Sequence, residues 1–472
     1  MIVDTIQDHF AKVQLEIASG PVLPNVTAEE IRTYLGSRYD FKQTKSLDEV
    51  VADVEGMLRT WQVQVTHPRY FGLFNPSVTL ASVVADTLVA MYNSQLANWR
   101  TSPAANEIER HTLGWLSAKF GLPADSIATF TSGGMEANLS AIVAALTRTF
   151  PEYGEMGLRH LPAEPAIYLT REAHHGYNKI AHMTGLGRRS LRLVATDRDL
   201  KMDLDDLARQ IAEDRSNGFA PFMVVATAGT TATGVIDPLS EIGRLCRQEG
   251  LWLHVDAAWG GAAILSPRLK HLLAGIETAD SITCDAHKWL SVPMGAGMFF
   301  CRHAETVAEA FRAEVSYMLG KKVGPVFDPY TNSAQWSRRF IGLKLFMALA
   351  NYGESGYIEM IENQTEMGDL LRDELRQSGW RIVNSTPLPL VCFNRDGLDT
   401  AKFLAELHRR QVAWMSPAEI AGEPVVRACV TSYLTTESDI RWVVNTMNGI
   451  AEEQLGKPVA VPAIEEPVGV NA

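Results

Sequence analysis

The sequence predicts an α/β fold in which a mostly parallel sheet is flanked by helices, with a helical arm before it and a small α/β domain after it. Three observations carry this. Strand and helix patterns alternate from about residue 105 to 305, the first 85 residues carry helical periodicity only, and a second alternation begins near 355. The expected division is an arm over 1–85, a large domain over 86–350, a small domain over 351–455 and a loosely ordered tail over 456–472.

In the arm, amphipathic helices are interrupted by proline-containing loops, Gly20-Pro21 and His67-Pro68-Arg69-Tyr70-Phe71-Gly72. In the large domain the clearest strand signals are 166–169, 222–226, 252–255 and 298–301, each short, apolar and bounded by turn residues. Between the second and third lies a well-marked helix. Asp237 is placed to cap it, Pro238 suits its first position, Leu239, Ile242, Leu245 and Cys246 share a face, and Gly250 ends it. The resulting βαβ unit puts Asp256 at the carboxyl end of a strand, where ligands bind in such sheets. Beyond 355 the pattern gives a helix over 369–376 and strands over 389–394 and 425–431. The tail carries Pro458, Pro462 and Pro467, and no internal repeat is present.

Composition narrows the function. A hydrophobic fraction of 46% with 21% charged residues is ordinary for a globular chain. A net charge of −12 argues against nucleic acid as the main partner, because phosphate backbones need a basic surface. Cys246, Cys284, Cys301, Cys392 and Cys429 are odd in number and scattered, so neither a disulfide framework nor a metal site is expected, and a reducing, cytoplasmic setting fits. Acidic residues stand near the N-terminus where a secretory signal would be basic, and no run of about 18 apolar residues occurs, so neither export nor membrane spanning is expected.

The most informative stretch is Ser281-Ile282-Thr283-Cys284-Asp285-Ala286-His287-Lys288-Trp289, which follows His254-Val255-Asp256-Ala257-Ala258. A lysine amine becomes a good Schiff-base partner when desolvation or a nearby cation lowers its pKa. An aspartate at a strand end can pair with a pyridinium nitrogen and keep it protonated. Taken singly, a His-Lys pair after a strand is more often a solvated turn, and an aspartate there is often only a helix cap. Their conjunction, followed by Gly295 and Gly297 before a strand, points to a built site.

At these residues the chain resembles the group II decarboxylases that depend on pyridoxal 5'-phosphate (PLP), the family of aromatic-amino-acid, glutamate, cysteine-sulfinate and diaminobutyrate decarboxylases. The shared pattern is His-Val-Asp-Ala-Ala at 254–258 and His-Lys-Trp at 287–289, with weaker similarity from His67 to about Arg441. The resemblance implies the fold-type-I, aspartate-aminotransferase-like architecture, a homodimer with shared active sites, and loss of an α-carboxylate as CO2 from an amino acid. It makes Lys288 the Schiff-base lysine, Asp256 the partner of the ring nitrogen, Ala258 the small residue under the ring and His174 the residue stacked on it, with His175 adjacent. It places the phosphate cradle at Ser132, Gly133 and Gly134, before an apolar helix whose N-terminus favours an anion. His287 and Ser281 are expected to supplement that cradle, and Thr231 to lie close to the cofactor. Gly133 and Met135 stand where aromatic decarboxylases carry hydroxyl residues, so more of the cradle must be backbone.

The same resemblance gives Arg427 as a grip for the substrate carboxylate, its alternative being a structural ion pair. It gives Tyr317 as the loop acid that protonates Cα, beside a flexible, lid-like Gly320–Gly324 segment. Relatives that form aldehydes tend to replace this tyrosine by phenylalanine or the stacking histidine by asparagine, so the retained pair favours simple decarboxylation. For the substrate, Tyr70, Phe71, Phe74 and Trp99 fall in pocket-forming regions and favour an aromatic side chain. Gln95 and Ala97 depart from the aromatic enzymes, the 254–261 stretch is closer to the glutamate and cysteine-sulfinate members, and Arg100 suits an acidic side chain. Two readings of other classes are a nucleotide-binding α/β protein, opposed by the absence of both glycine-rich phosphate motifs, and a PLP-binding protein without turnover.

Overall fold

The computed structural model describes residues 2–313 and 327–456. Three helices open the chain: α1 (Ile2–Ala18), α2 (Ala28–Arg38) and α3 (Leu47–Thr60). Thr27 and Ser46 start α2 and α3 with capping boxes, each hydroxyl accepting from the third helical N–H while Glu30 or Glu49 reaches back. Neither α2 nor α3 buries any residue.

The large sheet follows in chain order as β1 (Ile127–Thr131), β2 (Pro165–Thr170), β3 (Leu191–Val194), β4 (Ala220–Thr227), β5 (Trp252–Asp256), β6 (Ser281–Asp285) and β7 (Gly297–Cys301). Its spatial order is β1-β7-β6-β5-β4-β2-β3. Pairing is antiparallel at both edges of β7 and parallel elsewhere, so β7 alone runs against the rest. The central strands are buried on both faces, as a helix-covered parallel sheet requires, and therefore read as unbroken apolar runs. All four strongest strand expectations lie on β2, β4, β5 and β7.

Helix α4 (Gly134–Thr149) leaves the carboxyl end of β1 and buries Ala137, Ala141, Ile142, Ala145 and Leu146. Helix α5 (Leu239–Glu249) connects β4 to β5 and ends on Gly250 in the left-handed conformation. Its start differs from expectation: Pro238 is the cap position, and Asp237 does not cap. The Asp237 carboxylate is buried and accepts the N–H groups of Met202 and Thr227, each at 2.8 Å. Those interior donors have no other route to satisfaction, and they win over the helix end.

The C-terminal region forms an antiparallel sheet of β8 (Arg381–Ile382), β9 (Leu390–Asn394), β10 (Ser416–Ile420) and β11 (Glu423–Cys429) in the order β8-β9-β11-β10. Helices α6 (Thr400–Arg409) and α7 (Glu437–Gln454) accompany it. The chain divides into two compact units, one of Met1–Ser77, Glu366–Val383 and Pro389–Ala472, the other of Val78–Thr365 and Asn384–Leu388. The N-terminal segment thus groups with the C-terminal sheet instead of standing apart. The reason lies in the Pro68 loop: the Phe71 N–H donates to the Trp414 carbonyl and the Phe71 carbonyl accepts from Cys429, both at 2.9 Å. No helix among the described residues is long and apolar enough to cross a membrane.

Candidate active site

The carboxyl ends of β1, β2, β4 and β6 release the loops that carry Ser132, His174, Thr231 and Lys288, and Asp256 is the last residue of β5. Lys288 lies in the turn after β6, its Nζ 3.1 Å from Oδ2 of Asp285. That carboxylate is buried, and its Oδ1 has no hydrogen-bond partner among the described residues. Asp285 was not singled out from sequence; its spacing of three residues before the lysine was the available signal.

Asp256 is held on three sides. Its Oδ2 accepts from Asn138 Nδ2 at 2.8 Å and from the Tyr177 hydroxyl at 3.2 Å, and Oδ1 accepts the Ala258 N–H at 3.2 Å. With Oδ2 taken twice, Oδ1 keeps the freer lone pair for an N–H from a ligand. Tyr177 is buried beside this carboxylate, which, after desolvation, pushes its phenol well above the usual value and keeps it a donor. Asn138 and Tyr177 were also missed in the sequence, where both look like core residues.

His174 follows β2. Its Nδ1 accepts the Gly176 N–H at 3.0 Å, which puts the proton of the neutral ring on Nε2. A side chain at Gly176 would meet that nitrogen at 2.7 Å. Desolvation lowers the His174 pKa below the ordinary value, with Lys288 and His175 adding, against Asp256 and Asp285. The ring keeps an exposed face.

The glycine loop before α4 lies against these groups. A Cβ on Gly134 would stand 2.9 Å from Asp285 Oδ2 and 3.3 Å from the Ala258 methyl; one on Gly133 would be 3.6 Å from His287 Cε1. Gly297, on β7, would place a Cβ 2.5 Å from Thr131 Oγ1 and 2.6 Å from Gly133. Only hydrogen fits there. Helix α4 carries no side-chain cap at Gly133, so its first N–H groups lack the side-chain acceptor that helix starts commonly have.

Several expected residues are placed differently. Ser132 commits its N–H and hydroxyl to Glu136, at 2.8 and 2.7 Å, so the cradle is glycine backbone more than serine hydroxyl. Ser281 is fully buried and bonded to His254 and Trp252, which corrects the expectation that it touches phosphate. His287 does lie beside the loop, its Nδ1 accepting from Ala296 at 3.1 Å. Thr231 is exposed on the β4 loop, whereas its neighbour Thr230 is buried against Thr233. Trp99 is half-buried and makes other contacts, its N–H on Asp328 and its indole on Glu107.

Phe71 and Arg427 belong to the other unit. Phe71 is fully buried in a core with Leu371, Val391, Met415 and Val426, so it packs instead of lining a pocket, a correction to its expected substrate role. Arg427, on β11, is buried, donates to the Gly72 carbonyl at 2.6 Å and lies over the Phe74 ring at 5.0 Å. Tyr317 and the Gly320–Gly324 segment lie outside the described residues.

His254, one residue pair behind Asp256, is wholly buried and desolvation lowers its pKa to about 4. The unfolded chain protonates a histidine near 6.5, so the folded state loses stability as pH falls from about 6.5 to 4. The expected cost is on the order of 3 kcal/mol. Unfolding free energies from denaturant titration at pH 7 and 4.5 should converge by about this amount in His254→Gln relative to wild type; an unchanged difference would place the titration elsewhere.

A lysine beside a buried carboxylate, a buried aspartate held by three donors and a glycine-rich turn before a helix are residue types that suit an enzyme holding a phosphorylated, nitrogen-containing aldehyde cofactor. The chain matches the family described as "Pyridoxal-dependent decarboxylase conserved domain" over residues 36–395, and it belongs to that family. It is 27% identical to an aromatic-L-amino-acid decarboxylase of Bacillus atrophaeus over 471 residues, 96% of this chain and 94% of the relative. It is 26% identical to a 4-hydroxyphenylacetaldehyde synthase of Rhodiola rosea, covering 93% and 91%. The structure of Oryza sativa TDC with PLP and tryptamine shares the fold, with a TM-score of 0.88, 24% identity and 96% of each chain covered.

The protein is therefore a PLP-dependent amino-acid carboxy-lyase of fold type I. The residues present fit the cofactor: the Asp285 carboxylate, with one oxygen left without a partner, lies beside Lys288, and Gly134 packs so closely on that carboxylate that no side chain fits between the turn and the lysine's partner.

Proposed function

We propose that this enzyme decarboxylates an aromatic L-amino acid to its amine, with Lys288, Asp256 and His174 as catalytic residues. The observation that carries the reading is that these three side chains lie at or just beyond the carboxyl ends of β2, β5 and β6 of one sheet. PLP, when bound, supplies an aldehyde that bonds to amines and a ring that draws electrons from Cα. Lys288 offers the amine, with the Asp285 carboxylate 3.1 Å from it. Asp256, which accepts from three donors, would pair with the ring nitrogen. His174, exposed and carrying the proton of its neutral ring on Nε2, would stack on the ring. Gly133, Gly134, Ala258 and His287 would hold the cofactor, with Ser132 and Thr231 at the margin. In this reading Arg427 and Trp99 contact substrate.

The aromatic choice is supported by the Bacillus atrophaeus relative and by Trp99. The Rhodiola rosea relative favours a second reading, aldehyde formation. Tyr317 and His174, both retained, weigh against it. Products from a panel of L-amino acids test the proposal: amine and CO2 from tyrosine, tryptophan or phenylalanine are expected. Aldehyde with ammonia, or preferred turnover of glutamate or cysteine sulfinate, would replace it. Tyr317→Phe should lower amine yield and raise aldehyde; unchanged products would remove the loop-acid role.

A homodimer is part of the same reading. It is supported by the arm, where Phe41 is 92% and Leu47 76% exposed and Val51 and Leu58 also face outward, apolar surface that a second copy would cover.

A further inference from the structure

Behind Asp256 lies a buried chain of hydrogen bonds in which every proton has a determined place. A carboxylate accepts only, so Asn138 must turn its amide Nδ2 to Asp256, at 2.8 Å. Its Oδ1 then faces His254 Nε2 at 3.0 Å and the Thr283 hydroxyl at 2.6 Å, and both must donate. A neutral His254 with its proton on Nε2 accepts at Nδ1, from Ser281 Oγ at 2.8 Å. Ser281 in turn accepts from the Trp252 indole N–H, also at 2.8 Å. Asn138, Thr283, His254, Ser281 and Trp252 are all buried, so no water competes for these groups.

We propose that Asn138 is the positioning residue for Asp256, and that His254 fixes the Asn138 amide in the one orientation that donates to the carboxylate. Were the amide reversed, its oxygen would face the Asp256 carboxylate, and its NH2 would be met only if His254 moved its proton to Nδ1 and Thr283 turned its hydroxyl. The chain therefore aims Asp256 without contributing a charge of its own. The low pKa of His254 agrees with a neutral ring. The other titratable groups around this carboxylate are Tyr177, which also donates to it, and His174, Lys288, Asp285 and Cys284, which are coupled to it or to each other.

The inference rests on the assignment of Asp256 to the ring nitrogen, and the test separates the two. Enzyme loaded with ring-15N pyridoxal phosphate reports the protonation of that nitrogen directly. Wild type should show the protonated resonance. Asn138→Leu should move it toward the unprotonated position and lower kcat about 10- to 100-fold, the size seen when a metal ligand loses its orienting partner. KM should stay within about twofold, because the loss falls on chemistry and not on substrate binding.

His254→Leu, which frees the amide to turn, should reproduce both effects, and His254→Gln, which can donate and accept in place of the ring, should recover most of the loss. Asn138→Ala, smaller and unable to donate, serves if the leucine variant does not fold. A protonated resonance with kcat within about twofold of wild type in the folded Asn138 variants overturns the proposal, as does equal loss in His254→Leu and His254→Gln. Asp256→Asn is the control: if it leaves the resonance protonated, the ring-nitrogen assignment falls, whereas a shift there and none at position 138 removes only Asn138.

Discussion

Lys288→Ala is expected to abolish the absorbance band of lysine-bound cofactor and to lower kcat on the order of 10³-fold or more. The alanine variant removes a nucleophile and a cation together, so Lys288→Arg separates them. Arginine can keep the ion pair that Lys288 makes with Asp285, yet its guanidinium stays protonated and bonds to no aldehyde. Loss of the band in both variants assigns the effect to the covalent bond, and loss in alanine alone assigns it to charge. Borohydride reduction of wild type followed by peptide mapping should label Lys288. A label on any other lysine would displace the whole assignment.

The largest effect on stability is expected at Arg338. Its guanidinium meets Glu109 through two parallel bonds, of 2.9 and 2.5 Å, with side chains only 3% and 5% exposed, and Glu109 also accepts the Gly342 N–H at 2.9 Å. Arg338→Ala leaves a carboxylate buried with that single donor, and the expected loss is about 3–5 kcal/mol. Replacing both partners, Arg338→Met with Glu109→Leu, should cost far less, because no charge is then stranded. Denaturant titration of the three proteins checks this; equal losses in single and double variants would mean that packing volume dominates.

Much of the large sheet was legible because burial on both faces writes itself as short apolar runs, as in 222–226 and 252–255. Strand β3 left no such mark, since it lies at the sheet edge with Arg192 half-buried and Leu193 49% exposed. Lys288 and Asp256 were legible for a different reason, that their chemistry admits few residue types. Asn138 was not, because an amide inside the apolar run 137–146 has no meaning until folding brings it to Asp256. Phe71 shows the converse: an aromatic residue beside a proline loop reads alike for a pocket and a core, and only its full burial decides.

The reversed direction of β7 has a consequence for how the enzyme matures. Strand β1 touches the sheet through β7 alone, and all of β2 to β6 is synthesised between them. The glycine loop proposed to hold the phosphate is thus secured by a pairing of very distant segments, a slow and entropically costly closure. On that proposal the cofactor binds only chains in which this edge is paired, and its binding energy adds to the stability of the finished sheet.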